Sequence, residues 1–409
     1  MKILLLNQAF YPDKVATAQI LVDLALHLKD TGCQVTVISG KRGYEDRKAR
    51  YTSREDYHGI HIERVGSTGF GKGRIVARIF DFLSFDLCLL WKLWRTPRQD
   101  VVISFTSPPM VGVIGAMFCK LKGGLCVQWL MDVNPDAAIA VGYLREKSLL
   151  ARVLTRIFRS SLAASDLVVV LDRWMKERIT SHGVPEDRIA VVPPWSVVEG
   201  GQNFSDEKER IQSFKARLGL SGKFVVLYSG NHSVVHPLDT LLETARRMDR
   251  DYPEVCFAFV GGGVRVKDVH RAVRRFGLRN IVQLAPQPRG DLHELLQAAD
   301  VHVVVMGEKV SGLVHTSKIY SILASGKPYI FVGPTRSHVS DLMKECPFGY
   351  QVRNGDVEGL VKTLDLVRAL SAEELEKTRQ GNVQYVKDNF EPGVVMGKFL
   401  ESLKHSLPH

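Results

Sequence analysis

Short continuous apolar runs alternate along the chain with longer segments in which apolar residues recur every three or four positions. The short runs predict buried strands, and the longer period predicts amphipathic helices. Strands that alternate with helices in this way are typical of parallel α/β sheets. The predicted strands are KILLL, QVTVIS, GIHIERV, VVISF, LCVQWL, DLVVVL and RIAVVP up to residue 195, then KFVVLYSG, VCFAFVGGG, NIVQLAP, VHVVVMG, PYIFVG and YQVRN.

The segment from Pro193 to Arg210 interrupts this alternation with two prolines and two glycines, and we interpret it as a hinge. A chain of 409 residues exceeds one ordinary core and suits two domains. The predicted fold is α/β, with Rossmann-like, doubly wound parallel-sheet domains at residues 1–195 and 196–387. A C-terminal helix at about 388–409 is expected to pack back on the first domain. Such sheets bind ligands at the carboxyl ends of their strands, which predicts a cleft between the domains.

The composition is that of an ordinary folded protein, with 45% hydrophobic and 24% charged residues. No apolar run reaches the roughly 18–20 residues of a membrane-spanning helix. We interpret the start, MKILLLNQAF, as a buried strand rather than a signal peptide. The six cysteines lack metal-ligand spacing and are expected to be reduced, buried thiols. Together these features predict a cytoplasmic protein.

The formal net charge of +11 favours an anionic partner. Two basic stretches, Lys72–Arg98 and Arg145–Arg159, interleave their cations with large apolar residues. Helices of this kind bind the anionic face of a membrane. The alternative, that they pack on their own sheet and their arginines are merely solvated, stays open. A nucleic-acid partner is not expected, because no recognition motif accompanies the charge.

Two nucleotide-binding motifs are incomplete in this chain. GSTGFGKG at residues 66–73 nearly matches a P-loop, but Gly73 stands where the loop needs the hydroxyl that holds Mg²⁺. We interpret it as a glycine-rich surface loop. No G-x-G-x-x-G follows the first strand, and VGGG at Val260–Gly263 lacks the third spaced glycine, which disfavours an NAD-dependent enzyme.

Two polar turns that precede helices are suited to an anion. Asn231, His232, Ser233 and His236 lie between a strand and a predicted helix, and HTSKIYSILASGKP at residues 315–328 opens a short helix. Anions are favoured at helix N-termini by the exposed N–H groups and the helix dipole. For the first turn, the alternative is a set of capping residues plus a surface histidine.

Several motifs in register along nearly the whole chain resemble the family 4 glycosyltransferases. They are NQAFYPD, FTSPP, MDVNPDAA, GVPEDRIAVVPPW, YSGN, HPLDTLLETA, FVGGG and SKIYSILASGKPYIFVGP. The resemblance is closest to the subgroup of bacterial polysaccharide and O-antigen biosynthesis. It implies the GT-B fold and transfer of a sugar from a nucleotide donor with retention of configuration. It also implies that no metal and no other cofactor is required.

The chain departs from the family pattern at the donor site. Ala16–Ala18 replaces the usual pair of glycines in the first loop, and Asn231 and His236 take the positions of the arginine and lysine that grip the diphosphate. Leu313 and Ser321 take the positions of two acids, of which the first holds the transferred sugar and the second the ribose. The identity of the sugar therefore cannot be inferred from these positions.

Physical chemistry suggests how the diphosphate is still neutralised, as the leaving group of the transfer requires. We expect Lys318, His236 and the N-terminus of the helix at Lys318 to replace the missing pair. Asp132, just past a strand, is expected to accept or orient the proton of the acceptor hydroxyl. Its alternative role is that of an Asx-turn or helix-cap aspartate.

The candidate site residues fall into three groups. The predicted catalytic residues are Asp132 and Lys318. The predicted donor-binding residues are Gly230, Asn231, His236, Gly262, Gln287, Gly312, His315, Thr316, Ser317 and Ser321. The predicted acceptor-binding residues are Tyr11, Asp13, Thr17 and Ser107.

The expected function is that of a retaining, metal-independent hexosyl- or N-acetylhexosaminyltransferase. Its donor is expected to be a nucleotide sugar, with UDP favoured by its frequency in the family. Its acceptor is expected to be a lipid-linked or membrane-proximal glycan of bacterial cell-surface polysaccharide, met at the inner face of the cytoplasmic membrane. The alternative is a non-catalytic GT-B protein that binds a nucleotide sugar or a partner glycosyltransferase, and the missing acids support it.

Overall fold

The computed structural model describes residues 1–13, 15–44, 49–70, 75–196 and 206–406. Its contacts divide the chain into two compact units, Met1–Pro193 together with the stretch from Val395 onward, and Pro194–Val394. We call them unit 1 and unit 2. Residues 71–73 of the GSTGFGKG motif, which include Lys72, lie outside the described residues. The same holds for Gly200 and Gly201 of the predicted hinge.

Unit 1 is built on one sheet with the strand order β3-β4-β2-β1-β5-β6-β7-β8. All neighbours are parallel except β3 and β4, which are antiparallel. The strands are β1 Lys2–Leu6, β2 Gln34–Gly40, β3 Arg54–Tyr57, β4 Ile60–Val65, β5 Val101–Ser104, β6 Leu125–Trp129, β7 Leu167–Val170 and β8 Ile189–Val191. The pattern predicts all of them except β3, whose sequence REDY is polar because it forms a half-exposed edge strand.

Helices cover the sheet of unit 1. They are α1 Ala16–Asp30, α2 Ile75–Arg95, α3 Val111–Lys122, α4 Asp136–Ala140, α5 Leu149–Ala163 and α6 Arg173–Ser181. One face of α2 buries Phe85, Leu89 and Leu93 in the core of the unit. Another face leaves large apolar side chains in solvent, among them Trp94, which is 75% exposed. The Lys72–Arg98 stretch was interpreted either as a membrane-binding helix or as a helix that packs on its own sheet. Packing on the sheet accounts for only one face of α2.

Unit 2 is built on an all-parallel sheet with the order β11-β10-β9-β12-β13-β14. Its strands are β9 Phe224–Ser229, β10 Val255–Val260, β11 Ile281–Leu284, β12 Val301–Val305, β13 Tyr329–Val332 and β14 Gly349–Val352. The pattern predicts each of them: the inner strands are covered on both faces and therefore mainly apolar, and the half-buried edge strands β11 and β14 still contain apolar residues. The predicted fold class, with two parallel-sheet domains, is confirmed.

The helices of unit 2 follow the strands in alternation. They are α7 Glu207–Arg217, α8 Asp239–Met248, α9 Val266–Phe276, α10 Leu292–Gln297, α11 Lys318–Ser325, α12 His338–Glu345, α13 Val357–Arg368 and α14 Ala372–Phe390. The predicted hinge extended to Arg210, but α7 already begins at Glu207, so this end of the prediction was wrong. The helix is mostly polar and buries only Phe214, which hides its period in the sequence.

The last helix, α15 Pro392–Ser406, begins at the end of unit 2 and belongs to unit 1 from Val395. There the Phe399 ring lies 4.9 Å from the Trp129 ring, centroid to centroid, and both side chains are buried. Burying two aromatic side chains contributes several kcal/mol to a core.

Two expectations about the whole chain can be compared with the structure. None of the helices in the described ranges has the length and apolar character of a membrane span. All six cysteines are free, and four of them are buried as expected. Cys33 is only half-buried, and Cys88 is exposed because α2 turns that position away from the sheet.

Candidate functional site

The turn that follows β9 depends on glycine. Gly230 has φ of 135°, and Gly261, directly after β10, has φ of 137°. A Cβ atom on Gly261 would lie 2.1 Å from the Gly230 carbonyl oxygen, so the two backbones approach more closely than side chains allow. In this sheet the strands that come after β9 in the chain continue on one side of it with β10 and on its other side with β12, so the strand order reverses at β9. Ligands of doubly wound sheets bind at such reversals.

Lys318, the first residue of α11, extends its side chain to this turn. Its ammonium lies 4.2 Å from the centre of the buried Tyr228 ring, and a Cβ atom on Gly230 would lie 2.8 Å from Nζ. The ammonium is buried and has no hydrogen-bond partner among the described residues. Burial lowers the pKa of Lys318 to about 7. A ring face offsets only part of the cost of burying a cation, and a bound anion would offset much more.

Three further polar atoms in this part of unit 2 are buried without partners in the part of the chain that the structure describes. They are Nε2 of His232, Oγ of Ser233 and Oγ1 of Thr316. The His232 ring is fixed, because Nδ1–H donates to the Gly230 carbonyl oxygen at 3.0 Å. Buried polar atoms in folded proteins nearly always have partners. Four such atoms around one strand-end turn and one helix start therefore indicate a place for a polar ligand.

His236 does not fit the role of a phosphate-neutralising cation. Its Nδ1–H donates to the Val305 carbonyl oxygen at 2.7 Å, and the ring is buried. Burial first, and then the nearby Lys318 cation, lower the pKa of His236 to about 3. The imidazole is therefore neutral at physiological pH. The expected pairing of Lys318 with a cationic His236 is corrected on this physical ground.

The residues just before α11 are held in place by contacts with α11 and α12. The His315 ring stacks on His338 at 3.8 Å between centroids, and His315 Nε2 lies 2.9 Å from the Tyr320 hydroxyl. The Thr316 N–H donates to His338 Nε2 at 3.2 Å. Ser317 is the N-cap residue of α11, but its hydroxyl makes no capping bond. These contacts fix the turn from which Lys318 projects.

The remaining predicted donor residues differ in their surroundings. Asn231 is exposed in the turn after β9, and the Gln287 amide donates to the Ala285 carbonyl oxygen at 2.8 Å. Gly262 leaves room for an added Cβ atom, and Gly312 has φ of 70°. Ser321 lies half-buried on α11, one turn after Lys318.

Unit 1 contains a cavity of about 320 Å³ at the carboxyl ends of its strands. Asp132, Thr17 and Ser107, three of the predicted site residues, all line it. The other lining residues are Tyr44, Phe82, Thr106, Pro109, Met110, Asn134, Pro135, Ala138, Leu144, Leu154, Ile157 and Phe158. The structure thus brings an aspartate, four hydroxyls and an amide together with a set of apolar side chains.

The segment MDVNPD contains two aspartates with different surroundings. Asp136 is buried, accepts a hydrogen bond from Arg178 Nε at 2.5 Å, and lies 2.7 Å from His182 Nε2. Burial raises the pKa of Asp136, but the bonds from His182 and Arg178 outweigh it, and the net pKa is below its usual value. Asp136 therefore anchors α4 to α6. Asp132 is only half-buried and faces the cavity.

Tyr11 and Asp13 do not line this cavity. The Tyr11 ring stacks on Tyr57 with 4.0 Å between centroids. The Asp13 carboxylate accepts hydrogen bonds from the Tyr44 N–H at 2.9 Å and the Tyr51 hydroxyl at 3.1 Å. Asp13 therefore holds the loop that brings Tyr44 to the cavity, and the acceptor contacts of Tyr11 and Asp13 stay predictions.

The sequence interpretation missed some residues of both sites. Tyr228, which underlies the Lys318 ammonium, was interpreted only as part of a strand, and His338, which supports the turn before α11, was given no role. Phe82, Leu154 and Ile157 were expected to face either a membrane or their own sheet, and the cavity that they line was not predicted. An apolar helix face has the same period whether it meets a core, a lipid or a cavity, so no signal in the sequence separates the three.

Comparisons with known proteins agree on the family and the fold. Residues 16–195 match the Glycosyl transferase 4-like domain family. The probable glycosyltransferase WbjE of Pseudomonas aeruginosa is 25% identical over 311 residues, which are 74% of each chain. The family match ends two residues beyond the first segment of unit 1.

Solved structures with the same fold cover nearly the whole chain. HepE of Anabaena, solved with UDP and glucose, aligns with a TM-score of 0.73 and 16% identity over 99% of this chain and 100% of its own. WaaG, a glycosyltransferase of lipopolysaccharide biosynthesis, aligns with a TM-score of 0.72 and 13% identity over 97% and 98%. The sucrose-phosphate synthase of Thermosynechococcus elongatus aligns with a TM-score of 0.76 and 14% identity over 99% and 100%. The resemblance seen in the sequence is confirmed: residues 16–195 form a glycosyl transferase 4-like domain, and the chain has the GT-B fold.

Proposed function

We propose that the chain transfers a sugar from a UDP-sugar, with retention, to a lipid-linked or membrane-proximal glycan acceptor in bacterial cell-surface polysaccharide synthesis. The observation that carries the donor half of this proposal is the buried Lys318 ammonium without a hydrogen-bond partner among the described residues. A nucleotide diphosphate supplies the anion that this cation lacks. The HepE complex with UDP and glucose supports a uridine nucleotide in a protein of the same fold.

In the proposed reaction, Lys318 and the N–H groups at the start of α11 stabilise the charge that develops on the departing diphosphate. An ammonium in a dry site stabilises a developing anion more strongly than it would in water. The hydroxyls of Ser233 and Thr316 donate to phosphate or sugar oxygens. Because this cation occupies the role that a metal ion has in other transferases, we propose that the reaction needs no metal and no other cofactor.

In the acceptor half, Asp132 accepts or orients the proton of the attacking hydroxyl. Its place among the hydroxyls of Thr17 and Ser107 supports this role, because these groups can hold a sugar hydroxyl beside the carboxylate. Asp136 does not line the cavity and anchors α4 to α6, whereas Asp132 faces the cavity, so we assign the proton of the acceptor hydroxyl to Asp132. Leu313 and Ser321 supply no acid, and the transferred sugar is held by the neutral groups of the strand-end turn.

We also propose that unit 1 docks on the anionic inner face of the cytoplasmic membrane. On α2, Leu87, Trp91 and Trp94 are 67%, 60% and 75% exposed, and the Arg95 guanidinium lies 4.1 Å above the Trp91 ring. Exposed aromatic residues beside cations suit the headgroup region of a bilayer. WaaG acts in lipopolysaccharide biosynthesis, which supports a membrane-borne acceptor by analogy of fold.

The docking surface is tested by partitioning onto vesicles of phosphatidylglycerol and phosphatidylcholine. Trp91→Ala together with Trp94→Ala is expected to reduce the bound fraction about tenfold, since each indole loses more than a kcal/mol of interfacial burial. Leu366→Ala, at a 61% exposed position of α13 in unit 2, is the matched control and is expected to change nothing. Equal binding of all three proteins would refute the docking surface.

The second candidate function is a non-catalytic GT-B protein that binds a nucleotide sugar or a partner glycosyltransferase. Leu313, at the position of the first family acid, is only 8% exposed, so an apolar residue is built into that part of unit 2. This observation favours a site that has lost its sugar-holding acid.

Release of UDP from a panel of UDP-sugars, in the presence of a lipid extract from bacterial membranes, separates the two functions. The enzyme is expected to release UDP only when extract is present, and chelation of metals by EDTA is expected to leave the rate unchanged. Lys318→Met is expected to abolish release, whereas Lys344→Met, at an exposed lysine of α12, retains it. Tight UDP binding without turnover on any extract would favour the non-catalytic function.

A further inference from the structure

Unit 2 contains a groove between α7 and α10 that the proposed reaction does not use. It encloses about 380 Å³, and none of the predicted donor-binding residues lines it. On the α7 side, the lining residues recur at the i, i+3, i+4 spacing of one helix face, so the groove runs along the helix axis. The full lining is Asp206, Glu209, Arg210, Ser213, Phe214, Arg217, Asp291 and Glu294.

This α7–α10 groove is acidic, although the protein has a formal net charge of +11. Four carboxylates and two guanidiniums line it. Both guanidiniums are paired with carboxylates of the α10 side: Arg210 pairs with Glu294. Arg217 Nη2 lies 2.5 Å from Asp291 Oδ2. The other two carboxylates come from the first turn of α7 and the residue before it, and they are exposed. The surplus of negative charge favours a cationic ligand over a phosphate or another anion.

Glu294 indicates that this is a binding site rather than a solvated acidic surface. Its side chain is 9% exposed, and its Oε1 pairs with Arg210. The other oxygen, Oε2, is buried and has no hydrogen-bond donor within the described part of the chain. A buried carboxylate oxygen without a donor loses the hydrogen bonds that water would supply, and this costs free energy. Because Glu294 lines the groove, an N–H group bound there can provide the missing donor.

The spacing of the carboxylates disfavours a metal ion as the ligand. A divalent cation needs several oxygen ligands around one point. In the described structure, no three acids of the groove bring their oxygens within 4.8 Å of one another. Phe214 adds apolar lining, against which an alkyl chain can pack. Separated carboxylates and an aromatic side chain together suit ammonium groups that are joined by an alkyl chain.

We propose that the α7–α10 groove binds a linear polyamine, with one ammonium beside Glu294 and another towards Asp291. Glu294 contacts α7 at Arg210. Asp291 contacts α7 at Arg217, seven residues further along the helix. Seven residues of an α-helix span about 10 Å. This length is similar to the distance between the end ammoniums of a short polyamine such as spermidine.

The proposed ligand is expected to stabilise unit 2, because it would join α10 to α7. Helix α10 also contacts α11, since the Gln297 amide donates to the Ser325 carbonyl oxygen at 2.9 Å. A ligand that binds only the folded state raises the melting temperature in proportion to its occupancy. The site does not depend on the proposed sugar transfer, so it can be tested without a donor or an acceptor.

Calorimetric titration of the whole protein with spermidine tests the site. The salt concentration is kept at about 0.15 M, so that diffuse attraction between exposed charges is screened. Spermidine is expected to bind once per chain and at least about tenfold more tightly than Mg²⁺, which has no N–H donors and no alkyl chain. Glu294→Gln is expected to weaken spermidine binding about tenfold, because a charge-assisted hydrogen bond becomes a neutral one. Glu209→Gln, at an exposed position of the groove, is expected to weaken it about threefold.

Glu373→Gln is the matched control for Glu209→Gln. Both glutamates are exposed in the first turn of a helix, but Glu373 belongs to α14 and does not line the groove. Its substitution is expected to leave the affinity for spermidine unchanged. If Glu294→Gln does not fold, Glu209→Gln combined with Asp206→Asn repeats the test at exposed positions.

Two results would overturn the site. One is equal affinity for spermidine and Mg²⁺, and the other is a groove variant that binds spermidine as tightly as Glu373→Gln does. Titration with N-acetyl-lysine amide separates a polyamine from a single lysine side chain. Binding of this monocation as tightly as spermidine would overturn the polyamine and assign the groove to a lysine of a partner protein.

Discussion

The two units of this chain use the same strand-end position for opposite purposes. In unit 2 the turn after β9 is closed, and polar atoms of His232, Ser233, Thr316 and Lys318 are buried around it without partners among the described residues. In unit 1 the strand ends open into a cavity that has one acidic side chain, Asp132, and an apolar wall. One site is built around a buried cation, and the other around an acidic side chain and an apolar wall.

The difference shows that two units of similar architecture can bind ligands of different chemistry. A parallel sheet offers both units the same edge, where loops and helix N-termini meet. What differs is the residue that each unit places there: a buried cation in one and apolar helix faces in the other. Each half of the comparison can be tested by changing one group and asking whether only its own ligand responds.

The largest effect is expected from Asp132→Asn. Sugar transfer should fall about 10²- to 10⁴-fold, because the amide cannot accept the proton of the acceptor hydroxyl. The affinity for UDP, measured by calorimetry, should stay unchanged. Asp136→Asn is the matched control: it deprives Arg178 and His182 of their shared carboxylate and should lower thermal stability, while the rate per folded molecule is kept. A large fall in transfer rate with Asp136→Asn and an unchanged rate with Asp132→Asn would contradict the roles assigned to the two aspartates.

The next largest effect is expected from Lys318→Met. Loss of a charge-assisted bond in a dry site should weaken UDP binding about 100-fold. At the same time the melting temperature of the unliganded protein should rise, since methionine removes a buried charge without a partner. Lys344→Met, at a lysine whose side chain is 68% exposed, should do neither. A Lys318→Met protein that binds UDP normally would remove the anion site from unit 2.

The affinity for UDP should also depend on pH through the same group. Below pH 7 the Lys318 amine is already protonated and binds the diphosphate without taking up a proton. Above pH 7 the free protein loses that proton and has to regain it on binding, so affinity should fall by up to about tenfold per pH unit. Calorimetry at pH 6, 7 and 8 measures this slope, and Lys318→Met should abolish it. Binding to the cavity of unit 1 should lack it.

The smallest effect concerns a second buried charge, Asp86, which is not among the residues that line the cavity of unit 1. Asp86 of α2 is 7% exposed, its Oδ1 has no partner among the described residues, and burial raises its pKa to about 7. The folded state then binds the extra proton between about pH 4 and 7, so stability falls as pH rises through this range. Asp86→Asn should raise the melting temperature by about 5 °C at pH 8 and hardly at pH 4. Added UDP should not alter that difference.

The fold was more predictable from the sequence than the sites were. Parallel strands buried on both faces are apolar throughout, so nearly all of them could be identified, whereas the polar edge strand β3 and the polar helix α7 could not. The position of Lys318 at a helix start also followed from the sequence. Its burial above Tyr228 did not, because the two residues are 90 positions apart and meet only through the sheet order.

The charge of His236 and the apolar wall illustrate the same limit. His236 was expected to help to replace the arginine and lysine of the family, but burial among neighbouring elements lowers its pKa to about 3 and keeps the ring neutral. The apolar period of α5 was interpreted as a surface that meets either lipid or its own sheet, yet Leu154 and Ile157 line a cavity. In each case the deciding neighbour comes from another element, and the pattern of one segment does not contain it.

The contact between Trp129 and Phe399 has a consequence for synthesis on the ribosome. Unit 1 is the first to be translated but the last to be completed, since Phe399 of its core is translated only after all of unit 2. Until then Trp129 lacks an aromatic neighbour that it has in the native state. The core of unit 1 is therefore incomplete while unit 2 is being translated. A stop codon before α15 would leave the core of unit 1 permanently without Phe399.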